Sequence, residues 1–156
     1  MKENQREWHS MRHYQPDQAS PAPTPWDSLG IPVSGPELIT QLHQGFSIKT
    51  LQALSQLIEI DTQTLGKAIS LSNTTLIRRF RAGRFNTVES DSIFRLATII
   101  LAALELFEGD GLSAKAWLQA RQIGLGGRKP LDLVSTQVEA NSILRLIGQI
   151  EHGVPS

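Results

Sequence analysis

From Ser34 onward, apolar residues recur at three- and four-residue spacing, and each run is framed by residues that start or stop helices. Leu38, Ile39 and Leu42 form the first face. Ser34-Gly35-Pro36-Glu37 before them reads as a capping box with proline in the first turn, and Gly45 closes the helix in the left-handed conformation. Ser47 caps a second helix carrying Leu51, Leu54, Leu57 and Ile58, and Asp61 caps a third from Thr62 to Ile69. After a break at Ser70-Leu71-Ser72, a fourth helix runs from Asn73 to Arg81 and stops at Gly83. Thr87 caps the longest helix, whose stripe of Ile93, Leu96, Ala97, Ile100, Leu104 and Phe107 ends at Gly109-Asp110-Gly111. Ser113 starts a helix with Ala116, Trp117 and Leu118. Beyond Gly124-Leu125-Gly126-Gly127 a final helix, capped by Ser135 or Thr136, carries Val138, Ile143, Leu146, Ile147 and Ile150 and closes at Gly153. No strand-like alternation of useful length occurs, so the predicted fold class is all-α.

Residues 1–33 break the pattern. They are polar, contain Pro16, Pro21, Pro23, Pro25 and Pro32, and have no apolar period. Proline fixes φ and lacks an amide donor, so this stretch is predicted to be an extended or disordered arm, with Trp8 and Trp26 as side chains able to dock it. The helical part divides into 34–110, a bundle with a helix-turn-helix, and 111–156, a small helical domain.

Residues 62–81 have the layout of a helix-turn-helix. Leu65, Ile69, Leu71, Leu76 and Phe80 fall where two short helices bury one another, and Gly66 is small enough for their backbones to cross closely. Ser70 stands in the turn where glycine is usual, because that residue adopts φ > 0. Ser72, Asn73, Thr74 and Thr75 then open the recognition helix, where short hydroxyl and amide groups meet base edges or phosphates. Arg78 lies one turn further on, suited to a guanine edge or the backbone. Arg81 and Arg84 follow in the loop as phosphate contacts. A helical hairpin with a solvated basic face would give the same charges.

Charge sharpens this picture. Fifteen Lys and Arg balance fifteen Asp and Glu among 156 residues, which argues against a whole-protein polyanion binder. Locally the balance fails: between Asp61 and Arg84, Lys67, Arg78, Arg79, Arg81 and Arg84 face a single acid. Small sequence-specific DNA binders carry such a stripe. Hydrophobic residues make up 40% of the chain, enough for a core.

The candidate chemistry mostly excludes. No cysteine is present, which removes disulfides, thiolate catalysis and cysteine zinc sites and permits a reducing compartment. The polar start has no signal-peptide core, and the longest apolar run, Leu96 to Leu104, is too short to span a bilayer; the expected location is cytoplasmic, with no membrane partner. His9 and His13 are spaced i, i+4 without an HExxH glutamate and read as solvated. There is no G-x-S-x-G elbow, and the glycines at 124–127 follow a helix with neither phosphate-loop spacing. Trp117 reads as core. The chain is expected to be no enzyme and to need no cofactor. In the tail, Gly126-Gly127 makes a sharp turn, Pro130 stiffens the residues after it, and Arg128-Lys129 is left as an exposed pair. A stiff loop with two cations suits a cleft that normally holds anionic phosphates; a solvated interhelical turn is the plainer reading.

Several stretches resemble Xre-type antitoxins with an MbcA/ParS/Xre toxin-binding domain, the antitoxin half of RES–Xre toxin–antitoxin modules. They are Thr75-Leu76-Ile77-Arg78-Arg79, Glu89-Ser90-Asp91-Ser92-Ile93-Phe94-Arg95-Leu96-Ala97, Ala116-Trp117-Leu118, Leu125-Gly126-Gly127-Arg128-Lys129-Pro130-Leu131-Asp132-Leu133-Val134 and Ile150-Glu151-His152-Gly153. The chain departs from that pattern at Arg121-Gln122-Ile123, where the family often has a Pro-Asn pair, at Glu139, and at Pro155. The resemblance implies a homodimer that binds its own promoter DNA and neutralises a RES-domain toxin. Such toxins consume NAD⁺ or transfer ADP-ribose from it, and the antitoxin's C-terminal domain blocks the active site. It also implies toxin contacts at Gly126, Gly127, Arg128, Lys129, Pro130, Leu131 and His152. The competing function is a free-standing helix-turn-helix regulator whose C-terminal helices dimerise or bind a small ligand; a third is an antitoxin that keeps the helix-turn-helix without DNA affinity.

Overall fold

The structure, a computed structural model, describes residues 22–153. Trp8, His9, His13 and Pro155 lie outside the described residues. Seven α-helices succeed one another: α1 (Pro36–Gln44), α2 (Ile48–Ile58), α3 (Thr62–Ala68), α4 (Asn73–Ala82), α5 (Thr87–Leu106), α6 (Gly111–Gln119) and α7 (Gln137–Glu151). Short 3-10 turns cover Pro25–Leu29, Ile123–Leu125 and Pro130–Asp132. Among the described residues there are no strands, only isolated bridges between Ser47 and Arg84 and between Gln122 and Arg128. The fold is all-α, and among the described residues no helix is long and apolar enough to cross a membrane.

The architecture derives from α5. The apolar stripe expected there is wide: Ile93, Leu96, Ala97, Ile99, Ile100 and Ala103 are all fully buried, while Arg95, Thr98 and Ala102 form a half-buried edge. A helix with so wide an apolar face must be covered on most of its sides. Here α1, α2, α6 and α7 all pack on α5, and α2 also packs on α6. One apolar cluster runs from Leu29 to Ile147, so 34–110 and 111–153 share a core with no gap in the packing at residue 110.

That core reaches into the predicted arm, which corrects the arm's boundary. Thr24 caps the turn Pro25–Leu29, Leu29 and Ile31 are only 4% and 7% exposed, and Trp26 lies 5.5 Å from Phe94, centroid to centroid. The prolines masked these contacts because they remove any periodic signal.

Three caps also differ from expectation. Gly35, not Ser34, precedes α1 and no side chain caps it. Asn86 rather than Thr87 caps α5, in a reciprocal box with Glu89. Asp110, rather than Ser113, starts α6: it accepts hydrogen bonds from the Leu112 and Ser113 amides. The hydroxyl and then the amide of Ser113 hold its carboxyl below the usual carboxylate range. Ser47, Asp61 and Thr136 cap α2, α3 and α7.

Gly45 ends α1 at φ 86°, but with ψ 134° it lies outside the left-handed helical region, in a conformation open to glycine. Its carbonyl and the Phe46 amide are both used across the chain, by Arg84 Nη1 and by Ser90 Oγ. A Cβ added at residue 45 would overlap the Phe85 carbonyl oxygen. Gly45→Ala is therefore expected to destabilise the protein by about 2 kcal/mol or more, read as a lower urea midpoint.

Candidate functional site

The helix-turn-helix forms as its sequence requires. Asp61 accepts hydrogen bonds from the Thr64 amide and hydroxyl, both at 2.8 Å, and they hold its carboxyl below the usual range. In the turn, Ser70 adopts φ 63° and the Leu71 amide donates to Gly66 O at 2.8 Å. A Cβ at residue 66 would sit 3.4 Å from Leu76 Cδ2 and 3.7 Å from the Leu71 carbonyl oxygen, an ordinary packing contact rather than the tight backbone crossing expected there.

Ser72 caps α4. Its Oγ accepts from the Thr75 amide at 3.1 Å and donates to Thr75 Oγ1 at 3.0 Å, so these two residues brace the helix start. Asn73, Thr74, Ile77, Arg78 and Arg81 are exposed. Thr74, Ile77, Arg78 and Arg81 are spaced three or four apart, which gathers them on one helical ridge. Arg81 belongs to α4 rather than to the loop, a correction that brings it into line with Arg78. Arg84 is exposed but ties back to Gly45 O at 2.9 Å. Ile77, 45% exposed between the polar residues, was missed as a candidate because its β-branched side chain reads as core. It offers the apolar contact that a thymine methyl accepts.

Arg79 turns the other way. Its Nε donates to Glu89 at 2.7 Å (Oε1) and 3.2 Å (Oε2), and Glu89 also accepts from the Asn86 amide. One carboxylate, with its side chain 9% exposed, thus joins α4 to the start of α5 and fixes the angle of the exposed ridge.

The second region is the loop after α6. Gly126 and Gly127 both have positive φ, 67° and 76°, and the chain doubles back so that Gln122 pairs with Arg128. The Gln122 amide donates to Arg128 O at 3.0 Å and the Gly127 amide to Gln122 O at 2.9 Å. Gln122 Nε2 reaches Trp117 O and Ala120 O, and Arg121 Nη1 donates to Gly127 O at 3.1 Å. Gly124 lies so close to Leu146 of α7 that a Cβ there would clash. The loop is braced from both sides.

Arg128, Lys129 and His152 are exposed, His152 at the end of α7. Pro130 and Leu131 are buried with Leu133 and Val134, which corrects their assignment as partner contacts: they anchor the loop in the core. The loop's most exposed apolar group is Ile123, at 94%. Sequence reasoning passed over it. The available signal was an apolar residue between a glutamine and a glycine, off every helical stripe.

The helix-turn-helix touches the segment that follows this loop. Ser70 Oγ lies 3.3 Å from Ser135 Oγ, and Arg95 Nη1 donates to the carbonyls of Val134 and Ser135. Among the described residues no group of three His, Asp or Glu side chains could hold a metal ion. A groove of about 630 Å³ between Trp26 and α5 is mainly apolar, with Glu105 and Glu108 on its wall, and contains no nucleophile–base pair.

Residues 37–97 match the family described as the Antitoxin Xre-like helix-turn-helix domain, and residues 102–153 match the Antitoxin Xre/MbcA/ParS C-terminal toxin-binding domain. A protein called Antitoxin Xre from Yersinia enterocolitica serotype O:8 / biotype 1B is 34% identical over 146 residues, 92% of this chain and 99% of that protein. Another protein called Antitoxin Xre, from Photorhabdus laumondii subsp. laumondii, is 28% identical over 148 residues, 94% of this chain and all of that protein.

Glu89→Ala removes the carboxylate that holds Arg79 and half of the α5 capping box. It is expected to cost about 2 kcal/mol in urea unfolding at neutral pH, with Glu89→Gln recovering part of the loss through the Asn86 amide.

Proposed function

The chain belongs to the Xre antitoxin family, and from that premise we propose that it silences a RES-domain toxin and represses its own operon. It works by binding rather than turnover, as antitoxins are a non-enzymatic class. The observation that carries the proposal is that two dissimilar exposed surfaces stand on one core, within the helix-turn-helix and toxin-binding stretches respectively.

For DNA, the ridge of α4 enters the major groove. Asn73 and Thr74 lie at its start, Arg78 reaches a base edge or phosphate, and Arg81 takes the backbone. Ser72 holds the helix end rather than reads bases, since its hydroxyl both donates and accepts there, while Thr75 Oγ1 accepts from Ser72 and keeps its own proton for an acceptor on the DNA. Two chains related by a two-fold axis would present two such ridges about 34 Å apart, one turn of duplex. With no net charge on the chain as a whole, attraction is confined to this ridge.

For the toxin, the loop from Ile123 to Lys129 is the inserted element and His152 borders it. Bound there, it blocks access to a site that consumes NAD⁺ or transfers ADP-ribose from it. A loop already locked by its own hydrogen bonds loses little conformational freedom on binding.

Arg78→Ala is expected to cost about 1–3 kcal/mol in operator affinity and to relax specificity, whereas Arg81→Ala weakens all sequences alike and lowers the salt slope by about one, both read by gel shift across a salt series. Co-expression with the adjoining gene product is expected to restore growth. A chain that binds DNA but gives no rescue is a free-standing regulator instead.

A further inference from the structure

Ile123 is an energetic oddity. A β-branched side chain that is 94% exposed gains nothing from the fold, yet the surrounding loop is held by at least five hydrogen bonds and by Gly124 pressed on Leu146. Among the described residues no other large hydrophobic is as exposed: Val138 and Val88 come next, at 77% and 76%, and both lie in the first turn of a helix. Leu125, two residues further on, is buried, so the loop separates one apolar side chain that anchors it from one that it displays.

We propose that Ile123 is the anchor by which this chain grips its toxin, entering an apolar pocket whose rim carries carboxylates or carbonyls. The inference rests on the capture reading above and names the side chain that performs it. A rigid apolar tip ringed by polar groups is the arrangement of an interface hot spot, where a central side chain is desolvated and the rim excludes water. The ring here is cationic: Arg121, Arg128 and Lys129 are all exposed on the same short loop.

Their sign decides the chemistry of the rim. A cleft that binds the phosphates of a dinucleotide is itself electropositive and repels Arg128 and Lys129, which overturns the expectation that this cation pair suits such a cleft. The cations must therefore meet acceptors outside the phosphate subsite, and the group left to enter a pocket is neutral. Preorganisation makes the single side chain effective, because the loop does not have to order when it binds.

The test uses the full-length chain and the purified product of the adjoining gene, inactivated at its active site, with affinity read by calorimetry. Relative to the parent, Ile123→Asp is expected to bind about 30-fold more weakly or worse, and Ile123→Leu within about threefold. Leu112→Asp, an equally drastic change at a 69% exposed site on α6, is expected to leave affinity unchanged. Melting temperature and operator binding should be the same in all three, since none of these side chains is buried. Arg128→Glu is expected to weaken binding and flatten its salt dependence. A loss under about tenfold for Ile123→Asp overturns the anchor while leaving capture intact, and tighter binding by Arg128→Glu overturns the rim of carboxylates or carbonyls. A parent chain that forms no complex overturns the capture reading and the anchor together.

Discussion

Ile93, Leu96, Ile99, Ile100 and Ala103 leave α5 only a narrow, half-buried edge at Arg95, Thr98 and Ala102 through its middle, and that near-enclosure is the constraint on which the molecule is built. Each buried aliphatic side chain contributes on the order of 1.5–3 kcal/mol relative to exposure, so the helix cannot be uncovered on any side cheaply. Helices on both sides of it in sequence must supply the cover: α1 and α2 before, α6 and α7 after. The helix-turn-helix and the partner loop are consequently two edges of one packed object.

Polar groups then set the angles. Glu89 holds Arg79 and the start of α5 with one carboxylate, and Ser90, fully buried, takes the Phe46 amide while its own hydroxyl donates to Asn86 O. Arg95 reaches from α5 to the chain just before α7. Among the described residues no buried side-chain polar atom lacks a partner, which is what a core with this many polar ties requires. The exposed ridge of α4 and the tip of the loop thus have fixed positions without any sheet or disulfide to hold them.

Much of this was legible in the residues. Periodic stripes located all seven helices, and the pairing of Gly66 with a positive-φ Ser70 located the turn between α3 and α4. The features that escaped did so for physical reasons. At Thr87 and Ser113 a cap-forming residue stood beside a better-placed one, Asn86 and Asp110, and local propensity does not rank neighbours. Leu29 and Ile31 come after prolines and carry no period. In the loop, no rule of spacing says which of Ile123, Leu125, Pro130 and Leu131 faces inward; closure of the chain on itself decides it, by turning Ile123 out and the other three in.

The contact of Ser70 with Ser135, backed by Arg95, has a consequence for how long each activity survives. Where two surfaces have separate cores, one can melt and be digested while the other persists. Here α4 and the loop after α6 lean on the same beam, so cooperative unfolding removes both at once. A protease that acts on the unfolded chain therefore removes both surfaces in one stroke.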